Sequence, residues 1–236
     1  MSELERDRRL FGPGRLEALR AATADLSWLL GRGYSETAAL KLVGDRHDLE
    51  ARQRRAVARC ACSDAALESR HGRRLRAADA VGSRRVLVDG FNCVITLQTA
   101  LGGGLVLRGR DRCLRDLASV HGSFRPNRHL TRPAIAAIAA TLGTSEAVWF
   151  LDRPVSGSGE LRALLLEMAG EAGWPWQAEL VPDPDRVLVE AGSEAVVATA
   201  DSGILDRCGA WLDLAGAALF GAAPRAWVVD LLPPLR

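Results

Sequence analysis

The apolar positions of this chain fall in two rhythms. Over residues 15–67 they recur every three or four residues, which predicts amphipathic helices. Leu16, Leu19, Leu26, Leu29 and Leu30 form the first stripe, and Gly31 and Gly33 close it. Ser35 is a natural N-cap for a second helix carrying Ala38, Ala39, Leu42 and Val43 inward, and Gly44 ends it. Asp48 is the expected cap of a third, with Leu49, Ala56, Val57 and Cys60 inside. After residue 84 the rhythm changes. Short apolar runs (RRVLVDGFN, AVWFLD, WQAELV and EAVVATAD) alternate with segments of helical spacing at 94–100, 111–120, 133–142 and 160–172, and with a helix through Trp211 and Leu219. AWVVDLL reads as a last, edge strand. Alternating strands and helices predict an α/β fold built on a parallel sheet. The expected division is a helical module at 1–68, a basic linker at 69–83 and an α/β domain at 84–236.

Composition narrows the picture only a little. The 31 basic and 29 acidic residues give a net charge of +2, so any attraction for nucleic acid must come from local clustering. Arginine is dense in the linker and over 108–132 (Arg108, Arg110, Arg112, Arg115, Arg125, Arg128, Arg132). Aromatic side chains for base stacking are scarce there, with Phe91 and Phe124 the nearest. The five cysteines are scattered, and Cys60-x-Cys62 has no second pair at zinc spacing, so reduced thiols in a cytoplasmic protein are expected. No apolar run approaches the roughly 20 residues of a membrane span, and no membrane partner is expected. The oligomeric state stays open.

The chemistry concentrates where the strands end. Val86, Leu87 and Val88 run straight into Asp89; AVWFLD ends at Asp152; EAVVATAD ends at Asp201, with Asp206 five residues on. In an open parallel sheet, ligands bind outside the carboxyl ends of the strands. Three strands ending in Asp would gather carboxylates there, as a hard divalent cation needs. Asn92 is a candidate to orient water or a phosphate oxygen, and Ser202 to help hold an anion at the following helix start. Each Asp has a plainer alternative, since an acid just after a strand also serves as a helix cap or turn former.

VLVDGFN, WFLD and ATADSGILD together resemble the PIN-like nuclease superfamily, particularly its NYN-type branch. The resemblance implies a central parallel sheet with helices on both faces and Mg²⁺- or Mn²⁺-dependent cleavage of RNA. Asp89 and Asn92 match the first position of its acidic site, Asp152 the second and Asp201 the third. Gly203 stands where many such sites carry another Asp. The whole chain also resembles the prokaryotic domain of unknown function 434, with ADLSWLLGRGYSETAALKLVGDRHDLEARQRRAVARC matching its helical module and the second half a PIN-like module.

The leading expectation is therefore a metal-dependent ribonuclease. Asp89, Asp152 and Asp201 would be catalytic and, with Asp206, would bind Mg²⁺ or Mn²⁺; Asn92, Ser202, Arg108 and Arg110 would contact substrate. The alternative is a catalytically silent PIN-like RNA-binding module. A small-molecule phosphotransferase using Asp89 is disfavoured, because DGF stands where such enzymes carry D-x-D.

Overall fold

The computed structural model describes residues 2–80, 82, 84–117 and 127–232. The elements run α1 (Glu3–Leu10), α2 (Pro13–Leu30), α3 (Glu36–Arg46), α4 (Ala51–Cys60), α5 (Asp64–Arg73), α6 (Ala77–Ala80), β1 (Arg85–Asp89), α7 (Gly90–Leu101), β2 (Val106–Arg108) and β3 (Leu114–Asp116). They continue with α8 (Arg128–Leu142), β4 (Ala147–Asp152), α9 (Ser158–Ala172), β5 (Trp176–Val181), α10 (Pro184–Val189), β6 (Ala195–Ala198), α11 (Ser202–Leu205), β7 (Trp211–Leu212), α12 (Leu214–Ala222) and β8 (Val228–Asp230). Two compact units result, and neither is a single stretch of sequence. One comprises 1–72, 104–117 and 227–236; the other comprises 73–103 and 118–226.

In the first unit, α2 and α4 bury most of the stripes read from their spacing; in α3 only Ala39 and Val43 turn inward, while Ala38 and Leu42, expected inside, are exposed. Leu19, Leu26, Val43, Ala56 and Val57 pack together with Leu107 of β2 and Val229 of β8. Ser35 caps α3 as expected, its hydroxyl accepting from the Ala38 N–H. Asp48 does not cap α4. The cap is Glu50, paired with Gln53 in a capping box, while Asp48 sits in the turn at φ 46°. The expected helix at 111–120 is absent over its described part. Residues 114–116 form β3, antiparallel to β2, and β2 in turn pairs in parallel with β8. AWVVDLL thus contributes to this three-stranded sheet rather than to an edge of the main one.

In the second unit, five parallel strands lie in the order β5-β4-β1-β6-β7. Ala147 to Leu151 of β4 are all buried, as expected of a central strand covered on both faces. Helix α9 packs on β4 and β5, while α7, α8 and α12 pack against one another. The predicted helix through Trp211 and Leu219 is instead α11, the short strand β7 and α12. The expected linker is largely helical, being spanned by the end of α5 and by α6. Gly90 opens α7 hard against β4: an added Cβ would stand 2.4 Å from Leu151 Cδ2 and 3.1 Å from the Phe150 carbonyl oxygen. That close approach is why a glycine follows Asp89.

No helix among the described residues is long and apolar enough to cross a membrane.

Candidate active site at the strand ends

From β1, the next strands in sequence, β4 and β5, lie on one side, and β6 and β7 on the other. The reversal of order between β1 and β6 opens a crevice outside their carboxyl ends. Asp89 ends β1 and Asp201 follows β6, so both flank that crevice.

Asp89 caps α7. Its Oδ1 accepts from the Asn92 N–H at 3.4 Å and its Oδ2 from the Thr199 hydroxyl at 2.7 Å. Thr199 Oγ1 also accepts from the Asp201 N–H at 3.0 Å, so one hydroxyl joins the two strand ends. Asn92 adds a second tie, its Oδ1 accepting from the Ala200 N–H at 2.9 Å. The predicted substrate-orienting amide therefore spends its oxygen on holding α7 to the end of β6. Asp201 caps α11, with Oδ1 accepting from Gly203 at 2.8 Å and Ile204 at 3.2 Å. Each acid is thus both a cap and a site candidate, and the two readings coexist.

Asp152 stands on β4 two residues beyond Phe150, the register partner of Asp89. Two further acids join from the start of α10, in the PDPDR stretch, which was not among the predicted site residues. Asp183 caps that helix by accepting from the Arg186 N–H at 3.1 Å, and Asp185 lies in its first turn.

The electrostatics tie the five together. Burial pushes the Asp89 carboxyl up to about 7, against the help of the Thr199 hydrogen bond, and the charges of Asp201 and Asp185 push it further. Asp185 is raised by shielding from water and then by Asp201, Asp183 and Asp152. Asp152 is raised by shielding and by Asp183. None of the five forms an ion pair among the described residues.

The other predicted residues are placed differently. Asp206 is exposed at the end of α11, and its charge is not among those acting on Asp89 or Asp185. Ser202 is the half-buried first residue of α11. Arg108 and Arg110 belong to the helical unit. There Arg108 lies 3.3 Å from Asp230, and Arg110 donates to the Cys62 carbonyl at 2.7 Å and pairs with Asp64. Arg115, one of the arginines clustered over 108–132, is buried on Asp111. Arg132 of α8 pairs with Glu167 and Glu171. Phe91 is buried in α7; Phe124 and Arg125 lie outside the described residues, as does the Arg128 side chain.

The donors in the crevice are all carboxylate oxygens, the type a hard divalent cation takes. Mg²⁺ is commonly held by one or two carboxylates with water completing the shell. Among the described residues, no three of His, Cys, Asp and Glu are set to hold one metal ion. The set fits a cation bound by one or two side chains and does not form a closed cage.

Comparison with known proteins follows the division of the chain. The family described as "Protein of unknown function (DUF434)" matches residues 18–73 only, so that resemblance does not extend over the whole chain. The uncharacterized protein MJ0935 of Methanocaldococcus jannaschii is 27% identical over 190 residues, covering 80% of this chain and 89% of the relative. No solved structure matches. Residues 78–217, well over half of the chain, match the family described as "Domain of unknown function (DUF5616)", and the chain belongs to that family.

Proposed function

We propose that the α/β unit is a PIN-like hydrolase that cleaves phosphodiester bonds of RNA with the help of Mg²⁺ or Mn²⁺. The observation that carries this reading is the set of five carboxylates at the switch point of the sheet. Burial and the charges of neighbouring acids raise Asp89, Asp152 and Asp185, and among the described residues none of the five has a cationic side chain in ion-pair contact. Such an arrangement costs stability unless a cation joins it, and perturbed acids in a cleft are the mark of a working site. Asp89 and Asp201 would hold the ion, with Asp152 and Asp185 beside them. When bound, the ion supplies an activated water and offsets charge on the phosphorus. The chain's own groups do the rest. Thr199 and Asn92 lock the two strand ends in place, and Asp89, raised to about 7 without an ion, would give up its proton on binding the cation.

One observation favours a second reading, that of a silent RNA-binding module: among the described residues no three-ligand group is preformed. The two are separated by thermal unfolding with and without millimolar Mn²⁺, alongside cleavage of a labelled RNA. Metal that binds only the folded state raises the melting temperature. We expect that rise in the wild type, and its loss together with metal-dependent cleavage in Asp89→Asn. An unmoved wild-type melting temperature would defeat the hydrolase reading. RNA affinity that falls with salt but ignores metal would then favour the silent module.

A further inference from the structure

At the opposite edge of the same sheet, where β1, β4 and β5 begin, two adjoining hollows of about 250 and 320 Å³ share Arg85 and Glu146 as a common wall. Together they reach the size of a small-ligand site. They are remote from the acids: β1 alone, from Arg85 to Asp89, separates the two ends by about 13 Å at roughly 3.3 Å per residue.

The first hollow is walled by Trp174 and Trp176, whose ring centroids are 4.5 Å apart; Trp149 follows at 5.1 Å from Trp176. Trp149 and Trp176 are buried, so they fix the orientation of the half-buried Trp174 and leave it as a rigid flat face. Among the described residues, the buried indole N–H of Trp176, which lines this hollow, has no hydrogen-bond partner. Buried donors are normally paired, so an orphan at the wall of a hollow sets it apart from an ordinary strand edge.

The polar groups are of a definite kind. Arg85 donates to the Gln177 side-chain oxygen at 3.0 Å, which leaves the Gln177 amide hydrogens to face outward. Arg84 is exposed and lines the second hollow, and among the described residues neither it nor the Glu146 carboxylate has a side-chain partner. One anion receptor, one acceptor, one donor and one flat aromatic face thus border two hollows that share the Arg85–Glu146 wall. Phosphate suits a free guanidinium. A planar heterocycle suits an indole face, and its N–H and C=O edge suits Glu146 and Gln177.

We infer that these hollows bind a single nucleotide, with its base on Trp174, its base edge toward Glu146 and Gln177, and its phosphate on Arg84. A free nucleoside monophosphate and the terminal nucleotide of an RNA strand present the same chemistry. The inference stands apart from the acidic crevice and does not depend on hydrolysis there.

Calorimetric titration of the full chain tests it, using adenosine and guanosine monophosphates, their nucleosides, inorganic phosphate and a short 5′-phosphorylated oligonucleotide. A monophosphate should bind at least tenfold more tightly than its nucleoside or phosphate alone. Arg84→Gln should weaken the monophosphate at least tenfold and leave the nucleoside unchanged, with an unaltered melting temperature. Trp174→Ala should weaken both, and Trp174→Phe, which keeps a flat ring, should restore most of the loss. Asp89→Asn should bind as the wild type does. Tighter binding of the oligonucleotide would identify a strand end as the occupant, and equal or weaker binding a free nucleotide. No saturable binding at millimolar monophosphate would overturn the inference. So would binding that survives both Arg84→Gln and Trp174→Ala, or binding that Asp89→Asn abolishes, since that would move the ligand to the acids.

Discussion

Asp111 and Asp89 are carboxylates of the two different units, withdrawn from water to different degrees and treated in opposite ways. Asp111 is fully buried in the helical unit. Arg70 reaches it at 2.6 Å, Arg115 at 2.6 and 2.8 Å, and the Cys113 N–H at 3.2 Å. Burial alone would raise this acid, but the two guanidinium groups and their hydrogen bonds hold it far below the usual carboxylate range. Asp89 is half-buried and has a hydroxyl and a backbone N–H for partners, with more acids around it, and it rises to about 7. The first arrangement neutralises a charge inside the protein and belongs to folding. The second sets a carboxyl among other acids at a crevice, with no guanidinium partner among the described residues.

The largest test of this contrast is Asp111→Asn. It removes the carboxylate charge that faces two buried guanidinium groups and should cost about 3–5 kcal/mol, read by urea unfolding. A loss under about 1 kcal/mol would mean that the triad is not the structural pair described. In the other unit, Gly90→Ala forces a methyl group into Leu151 and the Phe150 carbonyl oxygen and should cost about 1–3 kcal/mol. Unchanged stability there would show that α7 can retreat from β4, and that the placing of Asp89 is not rigid.

The contrast also has a pH signature. Because folding raises Asp89 from 3.8 to about 7, the folded state holds a proton that the unfolded chain releases. Its contribution to stability is whole below pH 3.8, is lost as pH climbs to about 7, and stays lost above. Asp89→Asn has no such dependence, so the variant should gain on the wild type between those limits and hold its advantage at pH 8. Parallel melting curves across pH 4–8 would contradict the raised pKa. A pH series on Asp111→Asn should show no gain in that window, since Asp111 is lowered and would lose stability only in acid.

The smallest effects are shifts in that titration, followed by the carboxyl NMR signal of Asp89. Asp185→Asn removes a repelling charge and should move the midpoint down. Thr199→Val removes the hydroxyl that favours the carboxylate and should move it up. Shifts of the opposite sign would break the assignment of causes.

How much of this was legible in the chain differs by element. The helices of residues 15–67 were, because each buries a stripe written in consecutive turns, and the Ser35 cap needs only its own helix. Asp89, Asp152 and Asp201 were also visible as acids ending apolar runs, a purely local pattern. Asp183 and Asp185 were not, since they end no apolar run of their own, and only the sheet order sets α10 beside β1 and β4. The charged stretch at 111–120 has helical spacing, yet β3 pairs with β2, and β2 with a strand more than a hundred residues on. Arg115 looked like a phosphate contact until Asp111, its neighbour across the turn, enclosed it. Local sequence determined which segments coil, which extend and where acids end strands, because those preferences act within a few residues. Which charges are buried, and which distant groups face them, was decided by tertiary structure, because desolvation and Coulomb forces depend on what the fold brings near.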